Sequence, residues 1–415
     1  MPRTVAEPVT PHPKGLSRRR LLGTGAAVAG AAGAAGIGWG AATLTHREHD
    51  RDPAVETVAF YGDHQAGVDT EPQDHVAFVG YDLVDGADRN DIVGVLKIWT
   101  DDAARLTQGK PALADTEPEL AVRPARLTVT VGFGPELFAK AGLSNQRPHW
   151  LKPLPAFEKI DRLDPAYGGT DLMLQICADE ATTVSHAVRV LSKHVKSLVT
   201  ARWVQQGFRN ASKDQTMRNL MGSVDGTVNI APGTIDFDRL VWDDGSYRPW
   251  LAGGTSMVLR RIEMILDTWD ELDADARAIT VGRRVDNGAP LGGEREFDDP
   301  DFTAVDKYGI PVIPPSSHIA RAHHQHDGER FLRRGFNYDD PPPPGQVSNS
   351  GLLFAAFQRD IDAQYLPVQV RLNEFDALNQ WTVPVGSAVY AIPPGVPAPG
   401  GYLGQQLFEA GSAGS

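Results

Sequence analysis

The chain has 415 residues, 41% hydrophobic and 22% charged, with 42 Gly, 31 Pro and a single Cys. That composition describes a globular protein of two or three compact units, large enough to enclose a cofactor, and excludes a disordered chain and a disulfide-stapled scaffold. With 40 Lys and Arg against 53 Asp and Glu, the formal charge is −13; such a surface repels phosphate backbones and argues against a nucleic-acid partner.

Residues 1–45 form a separate segment. They carry five basic residues against one acid, and Ser17-Arg18-Arg19-Arg20-Leu21-Leu22 resembles a twin-arginine export signal. The 24 uncharged residues 21–44 that follow include 16 Ala or Gly, which is weakly apolar for a permanent membrane span. The segment is read as a cleavable or weakly anchoring leader, cut near Ala41 or Ala42, and is excluded from fold reasoning. Its route, the twin-arginine translocase, carries folded proteins, which raises the expectation of a cofactor inserted before export. The expected destination is extracellular, cell-envelope or periplasmic.

In chain order, the pattern predicts strands over 55–61 and 75–83, a helix over 92–104, a strand over 125–133, a helix over 135–141 opened by Pro and Glu, and a strand over 172–178. Apolar residues at 184, 187, 188, 191, 195 and 198 predict an amphipathic helix over 182–199. The second half repeats this order, with a strand over 255–261, a helix over 262–272, strands over 329–338 and 351–358, and a helix over 360–378. Both halves therefore read as α+β, with helices packed on one face of an antiparallel sheet. Long loops are expected over 286–317 and 339–350; the second contains Pro341 to Pro344, which cannot enter a sheet interior. Cys177, in the apolar run 172–177, reads as a small buried hydrophobe rather than a reactive thiol.

Three segments could carry chemistry. Gly222-Ser-Val-Asp225-Gly226-Thr227 places a carboxylate between glycines that let backbone approach a ligand closely, although an Asx-type turn with a solvated acid has the same pattern. Pro314-Pro315-Ser316-Ser317-His318 sets an imidazole behind a rigid entry, where it could meet a metal; the following His323, His324 and His326 lack a second ligand set at zinc spacing and read as solvated. In Arg333-Arg334-Gly335 the two guanidiniums of a strand must face opposite sides, so one can enter a pocket and the other must point away.

The order of these segments resembles the dye-decolorizing peroxidase family of haem enzymes. Beside Gly222 to Gly226, the resemblance is carried by Tyr61-Gly-Asp-His64-Gln-Ala-Gly67, Gly168-Gly-Thr-Asp-Leu-Met-Leu-Gln-Ile-Cys177, Arg218-Asn-Leu, Trp250-Leu-Ala-Gly-Gly-Thr255, Arg260-Arg261-Ile, Val281-Gly-Arg, Arg333-Arg334-Gly335, Gly351-Leu-Leu-Phe354 and Val385-Gly-Ser-Ala. With the leader, the chain is most similar to the exported A-type branch. The resemblance implies an α+β fold of two ferredoxin-like domains, at 46–215 and 216–415, of the dimeric α+β barrel kind.

It further implies one non-covalent haem b per chain, with His318 as the iron ligand and Asp225 and Arg333 on the opposite side. Leu352 and Phe354 become an apolar lid, and Gly222, Gly226 and Arg333 become part of the cofactor pocket. The family usually continues its histidine motif as His-Ile-Arg, whereas here Ala320 follows Ile319 and Arg321 comes next. The implied reaction reduces hydrogen peroxide to water and oxidises a dye, a phenolic or another bulky reductant. Asp225 acts as acid and base and Arg333 as charge stabiliser. A carboxylate serves as a base at lower pH than an imidazole, so an acidic optimum is expected. Bulky reductants are expected to react through surface aromatics, for which Tyr338, Trp381 and Tyr390 are candidates. The alternatives are an iron-acquisition protein that releases iron from haem, and a haem-storage module with incidental turnover; a homo-oligomer is left open.

Overall fold

A computed structural model describes residues 53–210 and 215–410. The leader at 1–45 lies outside them.

Eight strands, β1 His75–Leu83, β2 Thr128–Phe133, β3 Leu172–Ala178, β4 Val199–Phe208, β5 Thr255–Met264, β6 Leu332–Asp339, β7 Ser350–Gln358 and β8 Thr382–Ile392, close into one barrel in the order β1-β3-β2-β8-β5-β7-β6-β4. All of the pairings are antiparallel. Within the N-terminal half the order is β4-β1-β3-β2, and within the C-terminal half it is β8-β5-β7-β6, so each half places its first and third strands centrally in the ferredoxin-like manner. The halves meet at two narrow seams, Phe133 opposite Ala391 and Phe208 opposite Asn337. The expected α+β fold of two ferredoxin-like units is therefore what the chain adopts.

Nine α-helices occur among the described residues: α1 Arg89–Leu106, α2 Pro135–Lys140, α3 Ala181–Val195, α4 Ile235–Val241, α5 Leu266–Trp269, α6 Ala274–Val281, α7 His318–Ala322, α8 Leu366–Phe375 and α9 Gln405–Ala410. α1 starts at a capping box, in which the Asp88 carboxylate accepts from the amides of Asn90 and Asp91 while Asp91 accepts from the Asp88 amide. Its buried residues Ile92, Val95, Leu96, Trp99 and Ala103 recur at helical spacing and pack with Val184, Ala187, Val190 and Leu191 of α3 on the outside of the N-terminal sheet. The barrel interior is a second core, which includes Val76, Phe78, Met173, Phe336, Leu353 and Phe357. Strands such as β1 are thus buried on both faces.

Several sequence expectations fail for local reasons. Val55 closes the single helical turn Pro53–Val55, and 56–61 has no regular structure and joins no ladder; its neighbourhood is tied by single bonds, Arg126 N to Glu56 O (2.8 Å) and Gln108 Nε2 to Val58 O (2.7 Å). The helix expected to reach 199 ends at Val195, because β4 begins at Val199. Residues 262–264 finish β5 instead of opening a helix, and only the single turn α5 follows. β8 escaped notice because Pro384 and Gly386 break its pattern; the register shift opposite Arg261/Ile262 accommodates them.

Candidate active site

Alternate residues on the outer face of the C-terminal sheet point the same way. Arg260, Ile262 and Met264 of β5, Arg333 of β6, Leu352 and Phe354 of β7, and Thr382 and Pro384 of β8 line a cavity of about 440 Å³. Its other walls are α7, α8 and the segment 219–230. Whereas α1 seals the N-terminal sheet, the connection between β5 and β6 holds only the short helices α5, α6 and α7 and stands off the sheet.

Asp225 sits on one strand of a small hairpin. Its amide donates to Met217 O (2.8 Å) and the Asn219 amide to Ser223 O (3.0 Å). Gly222 and Gly226 have φ of +85° and +123°, a region that glycine enters without strain, so both glycines are required by the backbone. The Asn219 side chain organises the tip, accepting from the amides of Met221 and Ser223 (3.1 and 3.2 Å) and donating to Asp225 Oδ2 (3.3 Å). Arg218 fastens the hairpin through Gly222 O, Val285 O and Asp286 O at 2.6–2.7 Å. Gly226 lies in the cavity wall; Gly222 shapes the turn behind it.

Arg333 and Arg334 divide as strand alternation requires. Arg333 enters the cavity, with Nη1 3.5 Å from Asp225 Oδ1 and Nη2 donating to Val228 O (2.9 Å). Its backbone is clamped by Asn229, whose side chain accepts from Arg333 N and donates to Arg333 O, both at 2.8 Å. Arg334 is buried on the barrel side against Thr70 O and Gln73 Oε1. Cys177 is fully buried and burial pushes its thiol up, which agrees with its reading as an inert core residue.

Opposite, Ser317 N bonds Pro314 O (2.9 Å) and Ala377 N bonds Ser316 O (2.8 Å), so the proline entry holds the start of α7 against the end of α8. There His318 Nδ1 lies 2.7 Å from Asp376 Oδ2. The ring is about a third exposed, towards the cavity, whereas the carboxylate is buried. Burial works to lower the His318 pKa, but the Asp376 carboxylate outweighs it and holds the pKa above the usual imidazole range. With Nδ1 donating to Asp376, Nε2 is the ring nitrogen left for a ligand. Asp376 was missed in the sequence: its visible role is to cap the turn Ala377–Gln380, where its other oxygen accepts from Leu378 N (2.9 Å). Asn219 was likewise quoted only as part of a motif.

The remaining histidines stay apart from this arrangement. His323 stacks on His324 (centroids 4.4 Å apart) at the cavity rim and His326 pairs with Glu329 (3.3 Å). Among the described residues, none of the three belongs to a set spaced to hold a metal. Arg321 bonds Arg371 O and pairs with Glu374 (3.1 Å) across α7 and α8. The surface role expected for Tyr338 and Tyr390 is contradicted, because strand alternation turns both into the barrel interior, where they are 1% and 0% exposed. Trp381 is half-buried and packs edge-on against Trp269 (centroids 5.4 Å apart).

Comparison with known proteins agrees with this geometry. Residues 65–209 match the Dyp-type peroxidase N-terminal family and residues 216–397 the Dyp-type peroxidase C-terminal family. A dye-decolorizing peroxidase of Thermobifida fusca is 36% identical over 98% of this chain and 100% of its own length. A deferrochelatase of Yersinia pestis is 34% identical over 87% of both chains. The crystal structure of a DyP-type peroxidase from Cellulomonas bogoriensis superposes with a TM-score of 0.84 at 52% identity, covering 86% of this chain and all of the other. The chain belongs to the Dyp-type peroxidase family.

Proposed function

We propose that the cavity of the C-terminal half holds one non-covalent haem b and that the protein is a haem-dependent peroxidase, reducing hydrogen peroxide at the expense of dyes, phenolics or other bulky reductants. The residues present fit that cofactor. The surface the cavity presents is mostly aliphatic and aromatic, the charged side chains Asp225, Arg330 and Arg333 converge on it, and an imidazole oriented by a buried carboxylate offers its free nitrogen to the interior. There is no Cys-x-x-Cys-His run for thioether attachment. Bound there, haem supplies the iron at which the peroxide O–O bond breaks and from which oxidising equivalents pass to the reductant.

The chain's own residues do the rest. His318 holds the cofactor through Nε2, and the Asp376 carboxylate fixes the Nδ1–H tautomer and strengthens the ligand's basicity. Asp225 takes the proton from the nearer peroxide oxygen and delivers it to the departing one, so that water leaves rather than hydroxide. Arg333 holds its charge beside that carboxylate and stabilises the negative charge that develops as the bond opens. Leu352 and Phe354 keep the surroundings apolar, which strengthens both electrostatic effects.

The observation that carries this reading is the convergence of Asp225, Arg333 and the His318–Asp376 pair on one cavity. It is tested by mixing the haem-loaded protein with peroxide. Asp225→Asn should slow the spectral response by about 10²- to 10⁴-fold, and an unchanged rate removes Asp225 as the base. The deferrochelatase similarity favours a second reading, release of iron from haem; it requires metal-free protoporphyrin to accumulate when the loaded protein is incubated without peroxide. Export by the twin-arginine route is supported by Arg18 to Arg20 and the small-residue run behind them. Lysines in place of those arginines should retain the protein inside the cell.

A further inference from the structure

The Asp225 hairpin is closed at its base by a side chain from another segment. Thr216 and Thr227, one on each side of the hairpin, both donate their hydroxyls to a single oxygen, Glu296 Oε1, at 2.5 and 2.9 Å. The two threonines are also close in space: a Cβ on Gly226 would lie 3.3 Å from Thr216 Cγ2. Nothing in the spacing of 216, 227 and 296 announces this clamp.

Glu296 is itself held. Its carbonyl accepts from the buried guanidinium of Arg283 (2.8 Å), which also donates to Gly288 O (2.7 Å) and so folds the segment 283–296 upon itself. That segment fits tightly against the hairpin, since a Cβ on Gly288 would meet Val224 Cβ at 2.9 Å. At its other end, a Cβ on Gly282 would meet Ile319 at 2.5 Å and Ser317 Oγ at 2.8 Å, beside His318. The segment 282–296 therefore spans from the His318 side of the cavity to the Asp225 side, with Glu296 as its grip on the hairpin.

We propose that Glu296 is the positioning residue of Asp225, acting through Thr216 and Thr227 to set the carboxylate where it can exchange a proton with peroxide. This inference rests on the reading of Asp225 as the base. An acceptor shared by two hydroxyls fixes their separation, and a shift of about 1 Å in a reacting group costs as much as 10²-fold in rate. Glu296 touches neither peroxide nor cofactor in this role, so its effect must run entirely through Asp225.

The test is a double-mutant cycle on the haem-loaded protein, with amide exchange measured on the haem-free protein. Glu296→Ala should slow the peroxide reaction about ten- to a hundredfold, leave haem uptake and the Michaelis constant for the reductant unchanged, and speed exchange of the Asp225 amide bonded to Met217 O. Thr227→Val should act in the same direction, whereas Thr227→Ser, which keeps the hydroxyl, should restore the rate. In an Asp225→Asn background Glu296→Ala should cost nothing further. A full additional loss in that background, or a normal peroxide rate in Glu296→Ala, overturns the positioning role while leaving Asp225 as the base. A normal rate in Asp225→Asn alone would instead overturn the reading of Asp225 and the inference with it.

Discussion

The two halves share one strand order and differ in what covers the sheet. In the N-terminal half, the 84–127 connection supplies the 18-residue helix α1, whose Trp99 is fully buried and donates to Leu191 O (3.0 Å), and the outer face is packed solid. In the C-terminal half the topologically equivalent 265–331 connection spends its length on turns and short helices, and the space is left as the cavity that Asp225, Arg333 and His318 share. The lesson is that the same scaffold becomes a core or a site according to one crossover, which is where function is grafted onto a fold.

The comparison can be broken most forcefully from the packed side. Trp99→Ala should cost about 3–5 kcal/mol of stability in denaturant unfolding while leaving the peroxide rate per folded molecule intact; a lost rate in folded protein would show that the halves are not independent. Arg333→Leu, on the hollow side, should do the reverse. It should reduce the peroxide reaction about 10²- to 10³-fold, the cost of removing one charge-stabilising donor, with unfolding shifted by only about 1 kcal/mol, the worth of the lost bond to Val228 O. Phe354→Ala sharpens the contrast between a wall and a core. Its ring faces the cavity, so truncation should cost only about 1–2 kcal/mol in the haem-free protein, less than Trp99, and should show itself mainly as weaker pigment retention.

The smallest effect expected concerns acid. Glu329 pairs with Arg371 at 2.8 Å, both mostly buried. Burial pushes the Glu329 carboxyl up, but the Arg371 guanidinium, the Gln325 amide and His326 together outweigh this and hold it below the usual carboxylate range. A depressed carboxyl contributes stability that is complete above its unfolded value, about 4.3, and is lost as pH falls through the lower folded value. Glu329→Gln should therefore destabilise the protein by about 1–3 kcal/mol near neutrality and flatten the acid limb of its stability curve, as urea midpoints between neutral and acidic pH would show. An undiminished acid limb would mean that another carboxylate sets it.

Much of this site was legible because its signals are local. The glycines around Asp225 announce a turn with positive φ, and alternation along β6 predicts that Arg333 and Arg334 part company. What could not be read depends on distant pairings. Asp376 looks like a turn cap until the 314–317 entry is seen packed against it, and Tyr338 and Tyr390 look like surface aromatics until the barrel closes around them. Of the two strands that were missed, β8 carries a proline and a register shift that break its period, whereas β4 alternates over most of its length and makes its only ladder pairing with the other half at Phe208.

The central claim is that the hollow half is built around His318 to hold haem. Its most direct test is an absorption titration with hemin of the wild-type chain and of His318→Ala. The account predicts a Soret band saturating at about one equivalent in the wild type and shifting on addition of peroxide, with that band lost or moved to a weakly held form in the variant. Equal uptake and an identical spectrum in the two proteins, or no uptake in the wild type, would contradict it.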